Sequence, residues 1–227
     1  MTADPNVLAE VPLFAGLAAE ERAALRWRMH PRHYGRGEVI FVRGDPGSHL
    51  YIVERGSVKI ALSSVEGKEM ILALLNRGDI FGEMTLLDDA PRSADAVAID
   101  PCDVLLLERE DFITFLAERP RASLSLMAAL SRRLRATDEL VEDAAFFDIP
   151  ARLASVLLRL AQTSGQAGPR GTTIGRRLTQ GDLAGMIGAR RESVNKWLRF
   201  YERQGLIVSD RGVITVLQPE ALRRRIY

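Results

Sequence analysis

The chain has 227 residues, of which 47% are hydrophobic and 27% charged, and its 31 basic and 30 acidic side chains leave a formal net charge of +1. Such a composition suits a soluble globular protein and excludes a generally basic nucleic-acid binder, so any grip on DNA must come from local clustering of charge. A single cysteine, Cys102, excludes an internal disulfide and a Cys-ligated iron-sulfur cluster within one chain, and a reducing cytoplasm fits.

The length suits a domain of about 120 residues followed by a smaller one. The N-terminal stretch MTADPNVLAEVPLF puts acids where a signal peptide needs basic residues and holds no apolar run able to span a bilayer, which predicts no membrane partner. Leu13, Leu17, Ala24, Leu25 and Met29 form an approximate helical stripe, and Glu20 and Glu21 suit a first turn, so a short N-terminal helix is expected. From Arg32 to Glu108 the pattern changes to short β-rich runs: Val39 to Val42, Leu50 to Val53, Val58 to Leu62, Met70 to Leu75, Val97 to Ile99 and Val104 to Leu107. Turn signals such as Arg43-Gly44-Asp45-Pro46-Gly47 and Arg77-Gly78-Asp79 separate them, which predicts a β-sandwich or jelly roll.

Inside that series lies FGEMTLLDDAPRSA, Phe81 to Ala94. Gly82 permits close backbone approach, and Glu83 offers a carboxylate that accepts from a sugar hydroxyl. Arg92 supplies a planar guanidinium and Ser93 a hydroxyl, which together suit a phosphate, with Met84 and Ala94 completing the candidate ligand-binding stretch. One arginine balances one negative charge, as a cyclic phosphodiester carries. The plain alternative is a surface hairpin in which Glu83 and Arg92 pair across the turn. A metal-dependent barrel enzyme would need clustered histidines, whereas His30, His33 and His49 include no closely spaced pair on one strand. No enzyme activity and no metal are expected, and the three histidines read as surface or turn residues.

Pro120 opens a long helical pattern in which Leu124, Met127, Ser131, Leu134, Asp138, Val141 and Ala145 alternate three and four apart, a seam for pairing with a second copy. Leu126, Leu130 and Arg133 lie on an adjacent face that can turn back to the barrel. Asp138 interrupts the seam: two facing carboxylates repel unless a ligand donor or a cation lies between them, and otherwise such a residue fixes register or turns to water. Asp148-Ile149-Pro150 breaks the helix. A helix from Ala151 to Ala161 follows, then a loop from Gln162 to Gly171. The expected domains are 1–117, 118–148 and 149–227.

Residues 179–201, TQGDLAGMIGARRESVNKWLRFY, give a sharper signal. Thr179 caps a short helix with Asp182 in a capping box, Gly188-Ala189 makes a turn, and Val194, Trp197, Leu198 and Tyr201 form one buried stripe. The opposite face carries Arg191, Glu192, Asn195, Lys196 and Arg199, which describes a helix-turn-helix whose second helix enters a major groove. Arg191 can take a guanine edge, Glu192 the cytosine amine, and Lys196 guanine or thymine acceptors. Gln180, Arg190, Ser193 and Arg199 are better placed for phosphates. Leu206 to Val208 and Val213 to Val216, joined at Ser209-Asp210-Arg211-Gly212, read as a β-wing. A solvated, salt-bridged helix face is the alternative.

With these segments in view, the chain resembles the cyclic-AMP receptor protein/fumarate-nitrate regulator (CRP/FNR) family of transcription factors over nearly its whole length. FGEMTLLDDAPRSA is similar to that family's phosphate-binding cassette, RRLRATDELVEDAAFFD to its dimer helix, and LTQGDLAGMIGARRESVNKWL to its helix-turn-helix. The resemblance implies an α+β fold: an N-terminal cyclic-nucleotide-binding jelly roll, a dimerisation helix and a C-terminal winged helix-turn-helix. It implies Glu83 as the ribose-binding acid, Arg92 and Ser93 as phosphate binders, and Arg133 and Thr137 as dimer-helix residues near the nucleotide. Arg191, Glu192 and Lys196 match the base-reading trio, which implies a palindrome with half-sites near TGTGA on double-stranded DNA. Cyclic AMP is the expected ligand, RNA polymerase a further partner and the cytoplasm the location. Asp138 departs from the small hydroxyl residue common in cyclic-AMP binders; its carboxylate fork suits the paired donors of guanine, which makes cyclic GMP the rival, and a regulator needing no ligand is a further alternative.

Overall fold

The computed structural model describes residues 7–175 and 177–226, so the reading of the first six residues lies outside the described residues. The chain divides into two compact units, Met1–Ser63 with Leu72–Arg135, and Ser64–Ile71 with Ala136–Tyr227.

The first unit opens with α1 (Val7–Glu10), a 3-10 turn (Pro12–Phe14) and α2 (Ala19–Trp27) in place of the single helix expected over Leu13 to Met29. The stripe is real, since Leu13, Leu17, Leu25 and Met29 are all buried, but Pro12 starts a separate turn and α2 begins afresh where the Glu21 carboxylate accepts from the Ala18 N–H at 2.8 Å. Strands β1 (His30–Tyr34), β2 (Val39–Phe41), β3 (His49–Arg55), β4 (Val58–Ser63), β5 (Glu69–Leu75), β6 (Ile80–Phe81), β7 (Asp95–Ala98) and β8 (Cys102–Glu108) follow, with the short helix α3 (Met84–Asp88) between β6 and β7. Helices α4 (Arg109–Glu118) and α5 (Pro120–Phe146) come next, α5 passing from the first unit into the second at Ala136.

The strands make two four-stranded sheets, in the orders β1-β8-β3-β6 and β2-β7-β4-β5. Tyr51, Val53, Val104 and Leu106 of the first sheet share one core with Val58, Leu75, Ala96 and Ala98 of the second, so the sheets pack face to face. The alternate residues Leu50, Ile52, Leu105 and Leu107 point the other way, into a second core with Phe14, Phe112, Phe115, Ala122 and Leu126 from the helices. Burial on both faces explains why Leu50 to Val53 and Val104 to Leu107 are continuous apolar runs rather than alternating ones. On α5, Ala122, Leu126 and Leu130 recur four apart and seal this second core, while Leu124, Met127, Leu134 and Val141 stand exposed in the single chain.

The second unit contains α6 (Ile149–Ser164), β9 (Gly165–Gly168), β10 (Gly171–Ile174), α7 (Gln180–Ile187), α8 (Arg191–Arg203), β11 (Ile207–Asp210), β12 (Val213–Val216) and α9 (Pro219–Arg223). The break after α5 comes where expected: the Asp148 side chain caps α6 by accepting from the Ala151 N–H at 3.0 Å, with Pro150 in the first turn where no intrahelical donor is needed. The expected loop over Gln162 to Gly171 is instead the end of α6 and most of a hairpin, whose strands extend the wing into a sheet of order β11-β12-β10-β9. Among the described residues no helix is long and apolar enough to cross a membrane.

Candidate functional site

In the first unit the cassette folds around Arg92. Its Nη1 donates to the Gly82 carbonyl at 2.6 Å and its Nη2 to the His49 carbonyl at 3.0 Å, while its guanidinium carbon sits 4.4 Å from the Phe41 ring centre and 5.5 Å from that of Tyr51. Two glycines make the space. Gly82 has φ +77°, and a Cβ there would lie 2.6 Å from Arg92 Nη1; a Cβ on Gly47 would lie 2.4 Å from its Cζ. Arg92 is only 4% exposed, and this burial draws its pKa below the usual arginine value, offset first by Tyr51; the Tyr51 phenol is pushed up by the same burial.

Glu83, 1% exposed, precedes α3, and its carboxylate is met by Arg133 of α5: Arg133 Nη1 donates to Glu83 Oε1 at 2.6 Å, and Nη2 donates to the Ile80 carbonyl. The pair Glu83–Arg92 across a surface hairpin is therefore replaced by Glu83–Arg133, with Arg92 turned onto backbone carbonyls. Among the described residues, the cassette holds two buried polar atoms without a partner, Arg92 Nε and Glu83 Oε2. A cationic donor and an anionic acceptor left unmatched in one cassette fit a ligand that brings both an anionic oxygen and a hydroxyl.

Of the other expected residues, Ser93 is exposed with its hydroxyl 3.7 Å from Met84 Sδ, Met84 is 47% exposed, and Ala94 is buried. Thr137 follows Arg133 by one turn of α5 and is half-buried, whereas Asp138 is exposed. Phe41, Gly47, Tyr51 and the His49 carbonyl were not foreseen as part of this arrangement. The turn ending in Gly47 and the strand runs holding Phe41 and Tyr51 are legible in the sequence, but their convergence on Arg92 is not.

The histidines lie on strands rather than turns, with His30 and His33 exposed as expected and His49 half-buried. His33 on β1 has Nδ1 2.6 Å from Asp103 Oδ1, and Asp103 also pairs with Arg55 at 2.7 Å. Cys102 is fully buried in the sandwich core, where burial pushes its thiol up to about 12.

In the second unit, Thr179 and Asp182 form the expected capping box: Thr179 Oγ1 accepts from the Asp182 N–H at 3.0 Å, and Asp182 Oδ2 accepts from the Thr179 N–H at 2.8 Å. Gly188 closes α7 in the left-handed region, and Arg190 stands at the start of α8. Val194, Leu198 and Tyr201 are buried, whereas Trp197 of the expected stripe is only half-buried, with Lys196 Nζ 5.5 Å from its ring centre. The Tyr201 hydroxyl donates to the Pro150 carbonyl at 2.8 Å, fixing α8 to the start of α6. Arg190, Arg191, Glu192, Lys196 and Arg199 are exposed; Gln180, Ser193 and Asn195 are half-buried. Among the described residues none of these charged groups stands in an ion pair, so the salt-bridged face is not what forms. The wing forms, but its first strand runs on through Ser209 and Asp210, so the turn is the two residues Arg211-Gly212 rather than the four expected, with Asp210 facing Val213.

A sandwich with a self-contained anion-and-hydroxyl cassette, and a capped helix-turn-helix with a wing, together define a ligand-responsive DNA-binding regulator. The cyclic nucleotide-binding domain family matches residues 31–119, and the Crp-like helix-turn-helix domain family matches residues 151–225. The CRP-like cAMP-activated global transcriptional regulator of Mycobacterium tuberculosis is 34% identical over 97% of this chain and 98% of its own length. The cyclic AMP receptor protein of Thermus thermophilus is 35% identical over 93% and 94%. A solved structure of the c-di-GMP responsive global regulator CLP of Xanthomonas campestris, 24% identical, covers 88% of this chain and 99% of its own with a TM-score of 0.77, a likeness of fold. The chain belongs to the CRP/FNR family of transcription regulators.

Proposed function

We propose that the protein is a homodimeric transcription regulator gated by cyclic AMP, which raises its affinity for a TGTGA-like palindrome. The observation that carries this is the pair of unmatched buried atoms, Arg92 Nε and Glu83 Oε2: each costs free energy while unsatisfied, on the order of 1–3 kcal/mol, and a phosphate oxygen and a ribose hydroxyl would relieve both. Gly82, Met84, Ser93 and Ala94 complete the cassette, and Arg133, Thr137 and Asp138 complete the binding set from α5. The relatives named as cAMP-activated support the choice of nucleotide.

In this reading residues 1–117 bind nucleotide, 118–148 pair two subunits along the exposed Leu124, Met127, Leu134 and Val141, and 149–227 bind DNA. Arg191, Glu192 and Lys196 read bases, with Asn195 on the same face, while Gln180, Arg190, Ser193 and Arg199 hold phosphates. A two-fold pair of α8 helices must stand about 34 Å apart to reach successive major grooves. The protein acts in the cytoplasm, touches RNA polymerase and performs no catalysis.

Two observations favour rivals. The Asp138 carboxylate suits guanine, and the Glu83–Arg133 ion pair stabilises the cassette before any ligand arrives, as a constitutive regulator would have it. Calorimetry with cyclic AMP and cyclic GMP ranks the nucleotides. Fluorescence titration of a labelled palindrome should show cyclic AMP raising DNA affinity by about 5–150-fold, the range of ordinary site-to-site coupling. Equal DNA affinity with and without nucleotide rejects the gating.

A further inference from the structure

The helix inside the cassette is too short to hold its own place. α3 runs only from Met84 to Asp88, with Glu83 before its first residue and Arg92 shortly beyond its last, so whatever fixes α3 helps to fix both groups. A helix of little more than one turn leaves most of its backbone groups unpartnered within the segment and has little stability of its own. Leu86, fully buried, anchors it in the core that also holds Phe112 of α4. The far end is held in another way: Asp89 closes the helix in the left-handed region at φ +57°, where a residue with a Cβ seldom sits.

Arg109, the first residue of α4, meets that end. Its Nη1 lies 2.6 Å from Asp89 Oδ1 and its Nε donates to the Leu86 carbonyl at 3.2 Å, so one guanidinium grips both α3 and its left-handed cap. The backbone of the same residue reaches elsewhere: the Arg109 N–H donates to the Ser48 carbonyl at 3.0 Å. Ser48 stands between Gly47, which leaves room for the Arg92 guanidinium, and His49, whose carbonyl accepts from it. The two segments that meet at Arg92, Gly47 to His49 and Gly82 with α3, are thus tied to one residue outside both. Leu86 and Phe112 already bury the helix, whereas the Arg109 and Asp89 side chains are 44% and 70% exposed, so their ion pair adds little to the stability of the fold.

We propose that Arg109, acting on Asp89, is a positioning residue for the nucleotide: a latch on α3 that keeps Glu83 and Arg92 at the spacing a ribose phosphate needs and slows its release. The inference rests on reading the cassette as a cyclic-nucleotide site. Arg109 lies outside the ligand-binding set and acts through the helix. A site already held in its bound arrangement loses less freedom when the ligand enters. Strain kept at a left-handed non-glycine residue marks a segment whose exact position is used, and here the strained residue is the one that the guanidinium grips.

The test uses the full-length protein, with cyclic AMP affinity measured by calorimetry and release of a fluorescent cyclic AMP analogue followed by stopped flow. Asparagine tolerates the left-handed region, so Asp89→Asn should unfold at the same denaturant concentration as the wild type. It should nevertheless bind cyclic AMP about three- to fivefold more weakly, the weight of a well-formed exposed ion pair, with the change in release rather than association. Arg109→Gln should weaken binding at least as much, since the bond to the Leu86 carbonyl is altered too, and Arg109→Lys, which keeps the charge, should release more slowly than Arg109→Gln. The double variant Asp89→Asn with Arg109→Gln should be no weaker than Arg109→Gln alone, because the shared interaction is lost only once. Wild-type affinity and release in Asp89→Asn overturns the proposal, as do losses that multiply in the double variant. A wild type that takes up neither cyclic AMP nor cyclic GMP rejects the nucleotide reading, and the latch with it, so the two failures are told apart.

Discussion

The cassette of the first unit and the exposed face of α8 in the second both depend on arginines, yet treat them in opposite ways. Arg92 is stripped of water, laid against Phe41 and given to two carbonyls, and Arg133 is given to Glu83. Arg191 and Arg199 remain in solvent without a carboxylate partner. A ligand entering the cassette must therefore displace or complete existing bonds, so its affinity depends on geometry and only weakly on salt. On the proposed reading, DNA meeting α8 would find charges already free, and its affinity would depend on released counterions and strongly on salt. The family joins two kinds of recognition, and the local burial of the arginines decides which is which.

The sharpest way to break this contrast is Arg92→Ala. Removing a buried cation that holds two carbonyls should cost nucleotide affinity on the order of 3 kcal/mol, about a hundredfold or more by calorimetry. It should also lower the melting temperature, since the Gly82 and His49 carbonyls lose their donors. Nucleotide binding within tenfold of the wild type would mean that the cassette does not need its guanidinium. A smaller effect is expected from Arg191→Ala, about 1–3 kcal/mol in affinity for the palindrome with relaxed preference at one base pair. Its stability to denaturant should change by no more than about 0.5 kcal/mol, because nothing in the fold leans on the side chain. A loss of stability above 1 kcal/mol would show that α8 does not hold its charges free.

The smallest expected effect concerns pH and the sandwich core. The folded state keeps Cys102 as a thiol up to about pH 12, against 9.0 when unperturbed, so the unfolded chain releases its proton first. The stability this contributes is complete below pH 9 and is lost as pH rises from 9 towards 12. Denaturant unfolding should thus show Cys102→Ala losing about 1 kcal/mol less than the wild type between pH 8 and pH 10. Parallel pH profiles for the two proteins would put the thiol outside the core.

Much of this molecule is legible in its sequence wherever the signal is local. The capping box at Thr179 and Asp182 and the break at Pro150 each depend on residues a few positions apart, and each forms, while the wing expected around Ser209-Asp210-Arg211-Gly212 forms with a shorter turn. Elements lacking an apolar pattern were invisible. Strand β1, HPRHY, is a mostly exposed edge strand containing a proline, and β9, GQAG, holds no large apolar residue. The cassette residues were legible as residue types but not as partners. Glu83 finds Arg133 fifty positions away, and Arg92 owes its seat to Gly47 and to the aromatic rings of β2 and β3, none of which sequence spacing can bring together.

The seat of Arg92 has one more consequence. Gly47 and Gly82 contribute no side chain, yet each supplies the emptiness into which the guanidinium fits, and even a methyl at Gly47 would overlap it. Responsiveness to a small molecule is thereby hostage to a position that would never be found by asking which side chains could touch that molecule. On the proposed nucleotide reading, alanine at residue 47 would push the guanidinium from its seat without removing it, a route to a silent regulator separate from loss of the arginine itself.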